Sequence, residues 1–177
     1  MQKQDYRTVR EVADIDKYIG DAGVIAFDFE TSPKDEYRGE EFAALDAHKS
    51  DITGVSLSVK AGTGIYVPLR HRVGENADIC SVTEYLKKRL YQNGSTVKIA
   101  HNMAFEAMFL YKDGIVLQEP VYNTIVAAQL TLKNDYEFRE LSDSGLKTLV
   151  PYLRRGSSEV RGCGRRQVLR RTRSGRL

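Results

Sequence analysis

The chain has 177 residues, of which 27 are Lys or Arg and 24 are Asp or Glu, and its formal net charge is +3. This length suffices for one domain with a buried core, and no stretch is long and apolar enough to predict a transmembrane helix. The N-terminus has no signal-peptide core, and Cys80 and Cys163 lie in no metal or disulfide motif, so the sequence predicts a cytoplasmic protein without structural zinc.

The net charge hides an uneven distribution along the chain. Residues 154–177 contain nine arginines and one acid, Glu159, and subtraction leaves 18 basic and 23 acidic residues in positions 1–153. We therefore expect one mildly acidic domain over residues 1–153, followed by a disordered arginine-rich tail over residues 154–177. The tail has two interpretations: an arm that binds phosphate groups, or an extension created by a frameshift or truncation, which we favour.

The first predicted elements are a helix and a strand. Apolar residues at helical spacing predict a helix over residues 9–19, and residues 21–23 predict a turn. The apolar run from Val24 to Ser32 follows. Its near-continuous hydrophobicity is typical of a central strand that is covered on both faces.

That strand ends in two carboxylates. Asp28 and Glu30 are two residues apart, so in a strand they project from the same face, about 7 Å apart. The simpler interpretation of an isolated Asp-x-Glu triplet is a strand whose acidic end meets solvent. Burying two like charges at the end of a central strand is costly unless cations neutralise them, which favours a divalent metal site.

A polar segment and a hairpin come next. Residues 33–50 are polar and rich in acids, and they predict a solvated loop or short helix rather than a second metal site. Alternating apolar residues predict strands over 52–60 and 65–69, joined as an antiparallel hairpin with Pro68 at an edge or strand end. His71 follows the hairpin; we expect a polar surface residue there, with a phosphate contact as the alternative.

Two helices and a strand are predicted in the middle of the chain. Residues 81–93 predict a helix with Ser81 as its N-cap, and residues 96–100 predict a strand. The next helix is expected to begin at Asn102. Asn102 and Glu106 are four residues apart and should therefore lie near one another at the start of that helix.

The pair of Asn102 and Glu106 has a structural and a functional interpretation. Helix capping by Asn102, with Glu106 in the first turns, is sufficient to explain the pair taken alone. In combination with Asp28 and Glu30 on another element, it predicts three acidic side chains that converge at strand ends. Such a set is what a two-metal phosphodiesterase requires.

Two more helices are predicted before the tail. The sequences NTIVAAQLTL, over residues 123–132, and GLKTLVPYL, over residues 145–153, both have helical patterns. Pro151 is expected to end or kink the second of these helices.

The order of these segments resembles a known family. FDFET over residues 27–31, the hairpin, HNMAFEAMFL over residues 101–110, NTIVAAQL and GLKTLVPYL are similar to the 3′-5′ exonuclease (proofreading) domain of family A DNA polymerases, in the form found in bacteriophages. The resemblance covers residues 5–153. It implies a DEDD exonuclease with an α/β, ribonuclease H-like fold, in which a mixed sheet is flanked by helices, truncated at its C-terminal side.

The resemblance also implies a chemistry. An enzyme of this family would hydrolyse the last phosphodiester bond at a DNA 3′ end and release single nucleotides. It would use two Mg²⁺ or Mn²⁺ ions held by acidic side chains. By position, Asp28 corresponds to the residue that binds both ions. Glu30 corresponds to the residue that binds one ion and the attacking water, and Glu106 to the carboxylate of the second motif. Thr31 and Asn102 correspond to substrate-binding positions. The implied partners are a single-stranded DNA 3′ end and a polymerase, with no membrane; the sequence leaves the oligomeric state open.

The chain departs from the family pattern in its second and third motifs. Glu106 stands where the family has Asp, and the third motif, Tyr-x-x-x-Asp, is missing because no Asp follows Asp143. Asn123 stands where relatives often have Asp. Since the family uses the third motif to orient water and to hold metal, these departures predict weak or absent exonuclease activity.

Two other classes of function compete with this one. A non-catalytic module that binds single-stranded nucleic acid or a polymerase is the main alternative, and it predicts an affinity for single strands that needs neither metal nor Asp28. A nucleotide-binding domain unrelated to nucleases is disfavoured, because the chain has no G-x-G-x-x-G or G-x-x-x-x-G-K-[ST] sequence.

Overall fold

The protein is described by a computed structural model in which residues 4–132 and 149–150 are placed. Strands β1 to β6 comprise Asp5–Thr8, Val24–Pro33, Ser50–Ser58, Thr63–Pro68, Val97–Ala100 and Val121–Asn123. Helices α1 to α4 comprise Val12–Ile19, Ile79–Leu86, Met103–Lys112 and Thr124–Leu132. Short 3-10 turns lie at Asp35–Tyr37 and Ala43–Leu45, and a π-helical segment at Lys87–Tyr91.

The chain divides into two compact units, Met1–Leu130 and Thr131–Leu177. The first unit contains the whole described sheet. Of the second unit the structure describes residues 131–132 and 149–150, which are helical. The predicted tail over residues 154–177, and most of the predicted helix over residues 145–153, lie outside the described residues.

The six strands form one mixed sheet in the order β1-β4-β3-β2-β5-β6. Strands β2, β3 and β4 are antiparallel neighbours, whereas β1 with β4, β2 with β5 and β5 with β6 pair in parallel. Together with the helices this sheet confirms the predicted α/β class and the hairpin. Because β1 covers the outer side of β4, Pro68 lies at a strand end and not at an edge.

The central strand β2 is buried on one face only. Ile25, Phe27 and Phe29 are buried, and the rings of Phe27 and Phe29 pack against Tyr91 with centroids 5.5 and 6.1 Å away. On the alternate face, Val24 and both carboxylate positions of β2 are exposed. The expectation of a strand covered on both faces is therefore wrong, and β2 follows the alternation of a half-buried strand.

Helix α1 is amphipathic, with Ile15 and Ile19 buried against the sheet's core cluster. It begins at Val12 rather than at residue 9, because residues 5–8 form β1 and Val9 still bonds to the neighbouring strand through Tyr66. Gly20 ends the helix at φ 48°, a positive value that glycine adopts without steric cost.

Helix α2 begins two residues before its predicted cap. Asp78 is the N-cap, and its carboxylate accepts a hydrogen bond from the backbone N–H of Ser81 at 2.8 Å. The hydroxyl of Ser81, followed by this backbone bond, holds the pKa of Asp78 below its usual range. Ser81 is thus the residue that is capped, and the prediction that Ser81 itself caps the helix is wrong.

In the part of the chain that the structure describes, none of the helices has the length and apolar composition needed to cross a membrane.

Candidate active site

Strand β2 presents Asp28 and Glu30 on its exposed face. Both alternate with the buried Phe27 and Phe29, so their side chains lie on the same side of the sheet, as predicted from their spacing. Their exposure corrects one premise of the sequence argument, because these two carboxylates are not buried. Solvent reduces the cost of placing two like charges together, and a substrate in solution can reach both groups.

The end of β2 is irregular at the point where Glu30 is followed by Thr31. The pairing of β2 with β3 shifts its register between these two residues, which is the signature of a β-bulge. Thr31, predicted to bind substrate, donates a hydrogen bond from Oγ1 to the carbonyl oxygen of Ala44 at 2.7 Å. Thr31 therefore fixes the loop after β2, next to the bulge. Bulges are common beside active sites, where they redirect side chains.

Glu106, in the first turn of α3, is the buried carboxylate of the site. It is 1% exposed, and its Oε2 atom has no hydrogen-bond partner among the described residues. Burial raises the pKa of Glu106 to about 7; the N–H groups of Glu106 and Phe29 oppose this effect, and the charge of Asp28 adds to it. An orphaned buried carboxylate oxygen is rare and calls for a proton or a cation.

Asp28 connects the exposed and the buried carboxylates. The Asp28 side chain reaches solvent but is partly desolvated by its neighbours: this desolvation, followed by the negative charge of Glu30, raises the pKa of Asp28, while His101 and the carboxyl group of Glu106 act in the opposite direction. Asp28 and Glu106 thus behave as two carboxyl groups that share one site and repel each other when both are ionised.

Asn102 does not cap α3 through its side chain. It precedes α3 with a left-handed backbone, φ 68°, and its side chain makes no capping hydrogen bond. Asn102 is exposed whereas Glu106 is buried, so the two side chains differ in environment although they are four residues apart. The exposed amide of Asn102 stays available to a ligand, and its predicted role in substrate binding stays a prediction.

Asn123 and His101, to which the sequence analysis assigned no role in the site, form hydrogen bonds at the start of α3 and α4. Asn123 Oδ1 accepts hydrogen bonds from the backbone N–H groups of Asn102, at 3.2 Å, and Ile125, at 3.1 Å. His101 Nδ1 lies 2.8 Å from Thr124 Oγ1. In the sequence, the position of His101 directly before Asn102 was the available sign that His101 lies near the site. The spacing of residues could not predict the contact of His101 with Thr124 of α4.

The donor set suits a hard divalent cation. Carboxylate oxygens are the ligands that Mg²⁺ and Mn²⁺ prefer, and the orphaned Oε2 of Glu106 beside Asp28 is a place where a cation would relieve repulsion. Among residues 4–132 and 149–150, however, no three His, Cys, Asp or Glu side chains cluster closely enough to surround one ion. The described residues therefore provide part of a coordination sphere, with Asp28 between Glu30 and Glu106.

The sequence matches a known domain family. A family model described as 3′-5′ exonuclease matches residues 6–155. DNA polymerase I of Pseudomonas aeruginosa is 30% identical over 130 residues, which cover 69% of this chain and 13% of the polymerase. DNA polymerase I of Rhizobium leguminosarum is 29% identical over 132 residues, which cover 62% of this chain and 12% of the polymerase. The chain thus spans about one eighth of these relatives.

Two solved structures have a fold similar to that of this chain. The RNase domain of yeast Pop2 matches with a TM-score of 0.60 at 12% identity, over 84% of this chain and 75% of that domain. Brucella melitensis NrnC with bound Mg²⁺ matches with a TM-score of 0.56 at 19% identity, over 87% of this chain and 63% of NrnC. At these identities the likeness establishes the fold, which is the ribonuclease H-like α/β fold predicted from the sequence.

Proposed function

We propose, on the premise that this chain belongs to the 3′-5′ exonuclease family, that it removes single nucleotides from the 3′ end of single-stranded DNA in a reaction that requires divalent metal ions. The observation that carries the proposal is the buried and unpartnered carboxylate of Glu106 beside the accessible carboxylate of Asp28. A phosphodiester in solution can reach Asp28, and the ionised form of Glu106 needs a cation for its stability.

Asp28, Glu30 and Glu106 would hold the metal ions. Bound divalent ions would supply positive charge that activates water and offsets the charge that develops on the phosphate. The protein's own part is to fix the carboxylates: the β2 backbone orients Asp28 and Glu30, and the hydrogen bond of Thr31 to Ala44 fixes the adjacent loop. Glu106 must lose its proton when a cation enters, since only the ionised carboxylate is a good ligand.

A basic cleft beside the carboxylates supports a polyanionic substrate. A cavity of 810 Å³ is lined by four basic residues, Lys34, Arg38, Arg70 and Arg72, against two acidic ones, Asp35 and Asp51. Thr53, which also lines it, donates a hydrogen bond to the carbonyl oxygen of Glu30 at 3.1 Å, so the cleft adjoins the end of β2. Arg38 and Arg72 both pair with Asp35, and this pairing holds their guanidinium groups at the cleft.

DNA as the substrate, proofreading as the role and a polymerase as the partner are parts of the same proposal. They draw support from the relatives named DNA polymerase I. RNA is the substrate that competes with DNA, because one structural neighbour is named an RNase domain. Matched DNA and RNA oligonucleotides, and primers with paired or mismatched 3′ ends, therefore belong in the same assay. Preference for RNA, or indifference to the mismatch, would contradict those parts.

The decisive experiment is length-resolved digestion of a 5′-labelled single-stranded DNA oligonucleotide with Mg²⁺ or Mn²⁺, and with EDTA. Because the third motif is missing, we expect a slow reaction: a ladder of one-nucleotide steps that builds up over long incubation and disappears with EDTA and in the Asp28→Ala protein. The matched control is Asp21→Ala, which removes an exposed acid in the turn before β2 and should leave the ladder intact. Folded protein that binds the oligonucleotide without cutting it, with or without Asp28, would support the non-catalytic alternative instead.

A further inference from the structure

The ring of Tyr66 on β4 lies across Gly54 of the neighbouring strand. A Cβ atom added to Gly54 would come within 2.0 Å of the Tyr66 hydroxyl oxygen and 2.4 Å of its Cζ atom. These separations are far below contact distance, so the tip of the Tyr66 side chain fills the space that any side chain at position 54 would need. Glycine at position 54 is thus the condition for this placement of the hydroxyl.

The register of the sheet puts that hydroxyl over the residue that faces Glu30. Gly54 pairs directly with Glu30 across the β2–β3 ladder, and residues opposite one another have Cβ atoms about 5 Å apart on the same face. Electrostatics agrees with this placement, because burial and then the negative charge of Glu30 raise the pKa of Tyr66. A tyrosine hydroxyl is protonated at neutral pH, so Tyr66 keeps a hydrogen to donate.

His71 holds the Tyr66 hydroxyl from the other side. Its Nε2 atom lies 2.5 Å from the hydroxyl oxygen, and the two rings are nearly perpendicular, with centroids 5.6 Å apart. The backbone of His71 is in turn fixed by Asn76, whose Oδ1 accepts from the His71 N–H at 2.7 Å and whose Nδ2 donates to its carbonyl at 2.8 Å. The pair is thus built on an anchored loop.

We propose that Tyr66 is a positioning residue for the hydrolysis: with its oxygen held by His71, its hydroxyl donates a hydrogen bond that orients the carboxylate of Glu30. A carboxylate only accepts hydrogen bonds, so the direction runs from His71 Nε2–H to the Tyr66 oxygen, and from the Tyr66 O–H to Glu30. The catalytic part of this inference rests on the proposed function; the coupling of Tyr66 to Glu30 does not.

The kinetic test is Tyr66→Phe, which removes the hydroxyl and keeps the ring over Gly54. We expect kcat for the oligonucleotide to fall about tenfold, as for loss of a hydrogen bond to a charged group, with KM unchanged because Tyr66 acts through Glu30. His71→Gln, which can still donate to the hydroxyl, should retain more activity than His71→Ala. The matched control is Tyr18→Phe, which removes a hydroxyl bonded to Thr63 Oγ1 at 3.0 Å and should leave kcat unchanged.

A double-mutant cycle read by Mn²⁺ affinity separates this inference from the proposed function. We expect Tyr66→Phe to weaken Mn²⁺ binding, measured by electron paramagnetic resonance, and to have no further effect in a Glu30→Gln background. An equal loss in both backgrounds would overturn the inference. If Tyr66→Phe weakens Mn²⁺ binding only when Glu30 is present, but the protein cuts no oligonucleotide, the coupling of Tyr66 to Glu30 is supported and the proposed function is wrong.

A measurement without metal covers the case in which the wild-type protein binds no Mn²⁺. With ¹³Cζ-labelled tyrosine, the resonance of Tyr66 is identified by its absence in Tyr66→Phe, and that of Tyr18 by its absence in Tyr18→Phe. We expect Glu30→Gln to shift the Tyr66 resonance and to leave the Tyr18 resonance in place. A Tyr66 resonance that does not respond to Glu30→Gln would refute the contact on which the inference depends.

Discussion

The two sides of the site hold the same functional group in opposite environments. The carboxylates that β2 contributes at Asp28 and Glu30 are exposed, whereas the carboxylate that α3 contributes at Glu106 is buried and lacks a partner for one oxygen. The pKa of Glu106 accordingly rises to about 7, from an ordinary value of 4.5. The comparison shows that a substrate can reach the carboxylates of β2, whereas the carboxylate of α3 needs a cation to be stable in its ionised form.

The largest expected effect is on stability, and it tests the buried side. In the metal-free protein the folded state binds a proton at Glu106 more tightly than the unfolded state does. The free energy of unfolding therefore falls as pH rises from about 4.5 through about 7, and is level above that range. Each unit of difference between the two pKa values changes the free energy of unfolding by about 1.4 kcal/mol, so the total change is about 3 kcal/mol.

Glu106→Gln should remove this dependence, which urea denaturation of both proteins at pH 4.5 and pH 8 with EDTA would measure. Between these two pH values, the free energy of unfolding of the wild-type protein should fall by about 3 kcal/mol more than that of Glu106→Gln. The matched control is Glu41→Gln, an exposed acid in the loop after β2, which should keep the wild-type slope. Parallel pH profiles for wild-type and Glu106→Gln would show that Glu106 ionises normally.

The next effect links the buried carboxylate to metal. A cation competes with the proton on Glu106, so Mn²⁺ affinity should rise about tenfold between pH 6 and pH 8, as the ionised fraction of a group with a pKa of about 7 increases. Calorimetry in two buffers of different ionisation enthalpy should detect proton release at pH 6.5 that vanishes at pH 8.5. Proton release that is unchanged in Glu106→Gln would assign it to another group, with Asp28 the first to test.

The smallest effect concerns the loop at the exposed side. Thr31→Val keeps the shape of the side chain and removes its hydrogen bond to the carbonyl oxygen of Ala44, so we expect a loss of about 1 kcal/mol in the free energy of unfolding. If the hydroxyl serves the loop rather than the substrate, KM for the oligonucleotide should change little at a temperature where both proteins are folded. A large rise in KM with unchanged stability would instead restore Thr31 as a substrate ligand.

The strands missed by the sequence argument are those with the weakest local signal. Every residue of β1, Asp5–Thr8, is exposed, and β6, Val121–Asn123, has three residues, so neither carries the alternation that identified the hairpin. Both are parallel strands whose partners, β4 and β5, lie at distant positions in the chain. Their pairing depends on contacts that no local pattern encodes.

The sequence by itself determined the residue types and spacings: Asp28 and Glu30 on one face of a strand, the hairpin after them, and Glu106 in the first turn of a helix. Alternation in strands and the 3.6-residue helical repeat are local properties, so spacing is enough to predict them. Only the tertiary structure decided which carboxylate is buried, that the Asn102 side chain does not cap α3, and that Tyr66 crosses Gly54 towards Glu30. Those outcomes depend on which distant segments pack together, and the pKa of a carboxyl group follows from that packing.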